Sequence, residues 1–148
     1  MLDSFYHNKW VNKESLLKNK PTYTHMDVLM ASPTEPLPPK KRQYQMDLMR
    51  KSLDNCKTKS TLMDIAVLAT AVDLMATLCD MGHLQDAEKA LEDAMCALMQ
   101  DNFNDIEVRM FEGILEDYQM VMDSLPARTM IVAHRKTETR LGKQKVAA

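Results

Sequence analysis

Val108, Phe111, Leu115, Tyr118, Met122 and Leu125 fall at alternating intervals of three and four residues. Residues so spaced share one face of a 3.6-residue helical turn, which makes this the spacing of a seam between packed helices. Asn104 stands before the run as an N-cap, and Asp105 and Glu107 suit the positive end of a helix dipole. Pro126 stops it. Ile114 and Val121 flank the seam and widen it. About two and a half heptads fall short of the three or four that define a coiled coil. The seam is therefore expected to close inside one chain, with closure between chains as the alternative.

The rest of the chain agrees with a helical fold. Three glycines and 5% aromatic residues argue against a β-sandwich or barrel. Gly82 and Gly113 are the only glycines before residue 142, so no glycine-rich loop exists to cradle a phosphate or dinucleotide. Thr61-Leu-Met-Asp64 has the form of a capping box. It opens a helix carrying Ile65, Leu68, Ala69, Val72, Met75, Leu78 and Cys79 and ending at Gly82. Apolar over a wide arc, that helix is expected at the centre of the core. Thr70, Asp73 and Thr77 interrupt its apolar stretch, about 65–78, which reads as too short and too polar to span a bilayer. Upstream, Pro39 suits a helix first turn. Tyr44, Leu48, Met49 and Leu53 form a stripe up to about Asn55, before a break at 56–60.

A further helix is expected from about Leu84 to Met99, with Ala87, Ala90, Leu91, Ala94, Met95 and Leu98 inward. The stretch LCDMGHLQDAEKALEDAM (78–95) resembles the inter-helix turn and second helix of a tetratricopeptide repeat. Gly82 falls in the turn, Ala87 five residues on, and Leu91 and Ala94 at the family's packing positions. The likeness occurs once, with no second copy at a 34-residue period and without the repeat's terminal proline. What it implies is a helical hairpin.

The flanks differ from this centre. Residues 1–39 hold five of the six prolines, with a weak helical patch over Lys13–Asn19 and a stiff extended linker at Ser32–Pro39. They read as an extended arm. Residues 127–148 read as a basic extension, helical to about Leu141, with Met130, His134, Thr137 and Leu141 on one face. The expected fold is thus all-α: a small antiparallel bundle of three to four main helices over 40–126, an extended N-terminal arm and a basic C-terminal extension.

Charge follows the same division. Residues 60–126 hold fourteen acidic side chains against Lys89 and Arg109, so blocks of +5, −12 and +5 compose the formal net charge of −2. Asp86, Glu88, Glu92, Asp93, Glu112, Glu116 and Asp117 fall opposite the apolar stripes. Solvated helix faces carry such residues in any protein. Their density here makes them candidates for contact with a basic partner, or with a basic segment of a sister subunit. Arg128, Arg135, Lys136 and Arg140 are candidates for contact with nucleic acid or an acidic partner, though the tail lacks aromatics for base stacking. Pro36-Leu-Pro-Pro39-Lys-Lys41 satisfies PxxPxK, a form read by SH3-type grooves and equally the form of a stiff linker before a helix.

Catalytic chemistry finds no support. Cys56, Cys79 and Cys96 form no CxxC pair and are odd in number, which suits reduced thiols in a cytoplasmic protein. Cys79 and His83 have a spacing that can share a metal on a continuous helix, but Gly82 lies between them and no third ligand is near. Neither cofactor nor metal nor membrane contact is expected. The sequence supports a non-enzymatic protein–protein interaction module: an adaptor, inhibitor or assembly component binding a basic partner or itself as a homo-oligomer. A nucleic-acid-associated regulator is the alternative.

Overall fold

The computed structural model describes residues 22–140, which are all-helical: six α-helices and, among the described residues, no strand. In chain order they are α1 (His25–Met30), α2 (Pro39–Thr58), α3 (Leu62–Asp80), α4 (Glu88–Met99), α5 (Asp105–Ser124) and α6 (Ala127–Arg140). The helical patch expected at Lys13–Asn19 and the tail beyond Arg140 lie outside the described residues.

Helix α3 is central and touches α2, α4, α5 and α6. Thr61 caps it: its hydroxyl accepts from the Asp64 amide at 3.2 Å and donates to the Asp64 carboxylate at 2.8 Å. At the other end Gly82 adopts φ +84°, so the His83 amide reaches the Leu78 carbonyl at 2.9 Å and the Gly82 amide the Cys79 carbonyl at 3.0 Å. This double closure needs a left-handed residue, which glycine supplies without a Cβ penalty. With nineteen residues and a mean hydropathy of 1.8, α3 is long and apolar enough to cross a membrane, contrary to the shorter stretch read from sequence. In this fold most of it is buried against the other helices.

Helices α4 and α5 present the expected residues inward: Leu91, Ala94, Met95 and Leu98 from one, and Phe111, Ile114, Leu115, Tyr118 and Met122 from the other. Phe111 stacks on Phe103 at 5.6 Å between ring centroids. Two boundaries differ from expectation. Helix α4 starts at Glu88 rather than Leu84, because Asp86 adopts φ +60°, and Ala90 is exposed. Helix α2 runs unbroken through Cys56 to Thr58 and is rotated from the expected stripe. Its inward residues are Met46, Met49, Leu53 and Cys56, another 3,4,3 seam, while Tyr44 and Leu48 face outward, 69% and 41% exposed.

The flanks join the same core. Tyr23, Leu37, Met130, Ile131 and Ala133 are buried in one cluster with the residues of α2 to α5. Within the stretch read as an extended arm, residues 25–30 form α1, opened by a full capping box between Thr24 and Asp27. The following strap caps α6: the Ala127 amide donates to the Glu35 carbonyl at 2.7 Å and the Arg128 amide to the Ser32 carbonyl at 3.0 Å. These bonds satisfy α6 amides that no residue of its own turn can reach. Helix α6 packs on both α3 and α1.

Candidate functional site

Because α5 buries its 111/114/115/118/122 face, Glu112, Glu116 and Asp117 stand outside and are exposed. By the same geometry Asp86, Glu88, Glu92 and Asp93 stand on or before the outer face of α4. Asp93 accepts from Lys89 at 3.0 Å, and that hydrogen bond and charge raise the Lys89 pKa.

The two acidic groups differ in their surroundings. The α4 carboxylates stand on an exposed helix face, whereas those of α5 border α2. There the Arg42 guanidinium donates to Asp123 at 2.6 Å, Arg50 donates to the Gln119 side chain, and Lys57 approaches Glu112 at 4.0 Å. Below them the Tyr118 hydroxyl donates to the Gln45 side chain at 3.0 Å, and burial raises the pKa of that phenol. A groove of about 240 Å³ opens between the helices, lined by Arg50, Leu53, Asp54, Glu112, Leu115 and Glu116. Its apolar lining is the buried Leu53 and Leu115. Three carboxylates meet one guanidinium there. Asp54 is the member the sequence did not suggest, since it lies in the basic block. Its only signal is its place beside Leu53, at the edge of the α2 seam.

The expected nucleic-acid contacts are placed quite differently. Arg128 donates to the carbonyls of Val28 at 3.1 Å, Ala31 at 3.1 Å and Leu29 at 3.3 Å, neutralising the negative end of α1. Arg135 donates to the Tyr23 carbonyl at 3.5 Å. Arg140 donates to the Asp73 carboxylate, to the Asp73 carbonyl at 3.3 Å and to the Thr77 hydroxyl at 2.9 Å. Only Lys136 of the four projects without such a contact among the described residues. It lines, with His25, Val28, Val132, Arg135 and Thr139, a second cleft of about 480 Å³ between α1 and α6.

The thiols and histidines do not converge. Burial, helped by Asp64 and Asp101, pushes the Cys56 thiol up to about 12, and burial also raises Cys79. His83 lies past the Gly82 turn and so shares no helix with Cys79. His134 meets the Tyr23 ring edge-on at 5.3 Å. Among the described residues no three His, Cys, Asp or Glu side chains gather as metal ligands would. In the PxxPxK stretch, Leu37 is buried and Pro39–Lys41 belong to α2, so these residues do not present a free polyproline helix. Comparison with protein-family models, curated proteins and solved structures finds no match for this chain.

Proposed function

We propose that the protein is a non-enzymatic protein–protein interaction module, an adaptor, inhibitor or assembly component, that engages a basic partner through its acidic helical surface. The observation that carries this reading is the α2–α5 groove, where Asp54, Glu112 and Glu116 surround the apolar Leu53 and Leu115. A lysine or arginine entering there lays its aliphatic stem on the leucines and its charge among the carboxylates. The carboxylates of α4 extend the same negative field and speed encounter with a positive partner. In this reading α2 to α5 form an antiparallel bundle that holds the surface rigid, and unpaired thiols suit a cytoplasmic setting.

The test is a titration of the full chain with poly-L-lysine, followed by fluorescence at low and high salt. Binding that weakens with salt and falls at least ~10-fold in Glu112→Lys/Glu116→Lys supports the reading. Equal binding by wild type and variant would falsify it.

One observation keeps the second reading, a nucleic-acid-associated regulator: the cleft bearing His25, Arg135 and Lys136. Against it, Arg128, Arg135 and Arg140 are already engaged within the fold. Failure of generic duplex DNA to bind at low salt retires it.

A further inference from the structure

Gly113 sits in the middle of α5, where glycine weakens a helix relative to alanine. Nothing in the described chain requires it. Its φ is not the left-handed one that demands glycine at 82, and a Cβ added at 113 would point into open space. The same outward face carries Ile106 and Met120, 77% and 63% exposed, with Glu116 and Asp117 beside them. Next to it, the outward face of α2 carries Tyr44 and Leu48 among exposed Lys40, Lys41 and Lys51. Its one carboxylate between those lysines, Asp47, is held by the Gln43 side chain at 2.7 Å. Apart from Arg109 near its start, the α5 face is apolar and acidic; apart from Asp47, the α2 face is apolar and basic. They lie side by side because α2 and α5 run antiparallel, with Arg42 beside Asp123 and Lys57 near Glu112.

From this juxtaposition we propose that the occupant of the α5 face is a second copy of this chain, docking its α2 face there about a two-fold axis parallel to the two helices. The proposal rests on reading the acidic surface as a protein-binding face, and it names the partner.

Such an axis exchanges α2 and α5 across the contact and keeps every residue at its own height. The level of Arg42 is that of Asp123, and the level of Lys57 is that of Glu112. Tyr44 and Leu48 of the second copy therefore reach Met120, Lys51 reaches Glu116, and Asn55 passes over Gly113. The missing side chain there lets the helices approach closely. Lysine meeting glutamate at the mouth of the α2–α5 groove adds a second cation to the three carboxylates that Arg50 alone faces within the groove. Each contact is made twice, so association closes at a dimer instead of propagating.

Sedimentation equilibrium of the full chain at tens of micromolar and low salt tests this. Wild type is expected at twice the chain mass. Gly113→Arg should keep its helicity and melting temperature, since a Cβ there meets nothing within 4 Å in its own fold, yet sediment as a monomer. Lys51→Glu should weaken the dimer at least ~10-fold, and Lys51→Glu/Glu116→Lys should restore it. If Gly113→Arg misfolds, the charge exchange at exposed positions decides alone. A monomeric wild type overturns the proposal, as does a dimer indifferent to the charge variants. A monomer that still binds poly-L-lysine through Glu112 and Glu116 preserves the protein-binding reading while rejecting the second copy. A monomer that binds none rejects both.

Discussion

Helix α3 is covered on two sides by different means. Toward α2, α4 and α5 the contact is apolar, built from residues such as Leu68, Met75, Leu98 and Phe111. Toward α6 the apolar contact of Met130, Ile131 and Ala133 is joined by buried polar ones: Arg140 reaches the buried Asp73, and the Thr77 and Thr137 hydroxyls meet at 2.8 Å. The strap and α1 are likewise held to α6 through backbone carbonyls that accept from Arg128 and from the first α6 amides. Apolar burial is strong and indifferent to partner, whereas buried ion pairs are geometry-bound and costly to break. The comparison teaches where the basic charge of the C-terminal block goes: much of it is a fastener for the fold.

Three experiments set the two layers against each other. Phe111→Ala should cost ~4 kcal/mol in denaturant unfolding, as for other large buried aromatics; a loss under ~1 kcal/mol would mean the seam is not core. Arg140→Ala should cost ~3 kcal/mol, because it strips a buried carboxylate of its guanidinium. Hydrogen exchange sharpens that result. The α6 amides should lose protection while those of α4 and α5 keep it, and uniform loss would show the layers to be one cooperative unit.

The smallest effect concerns α1. The Thr24 backbone amide donates to Asp27 at 2.7 Å and, with help from the Thr24 hydroxyl, holds that carboxyl below its ordinary pKa. A depressed acid stabilises the folded cap above the unfolded carboxylate range and loses that contribution as pH falls through the lowered value. Nuclear magnetic resonance titration of the α1 amides should therefore show fraying only below the usual carboxylate range. Fraying at the ordinary value would remove the capping box from the account.

Much of the centre was legible because periodicity and caps are local. Thr61 and Asp64 open α3 as their spacing implies, and Phe111, Leu115, Tyr118 and Met122 of the seam are buried, with Val108 and Leu125 at its ends only half-buried. Thr24-His-Met-Asp27 repeats the Thr61–Asp64 pattern, but it stands among prolines, and α1 needs Arg128 from a distant helix to complete it. In α2 the sequence leaves two stripes open, because Tyr44 and Leu48 compete with Met46 and Cys56, and only the neighbours α3 and α5 decide which set is buried. The outward carboxylates of the candidate site followed from the inward residues. The groove did not, because Asp54 meets Glu112 and Glu116 only through tertiary packing. Asp73 in an apolar helix was the visible sign of a buried partner, though nothing local named Arg140.

Thr22 donates its amide and hydroxyl to Glu138 at 3.0 Å across 116 residues of chain. For a chain growing from its N-terminus, this contact imposes an order of assembly. Helices α2 and α3, α3 and α4, and α4 and α5 meet as sequence neighbours and can pair as they emerge, whereas α2 and α5 pair only once α5 is complete. The N-terminal strap can meet α2 early, where Arg42 donates to the Leu37 carbonyl, but its bonds to Arg128 and to the first α6 amides wait for α6, the last described helix. Until then the Asp73 flank of α3 waits for Arg140, and the α6 turn that bears Glu138 and Arg140 acts as a clasp on Thr22 and Asp73 at once.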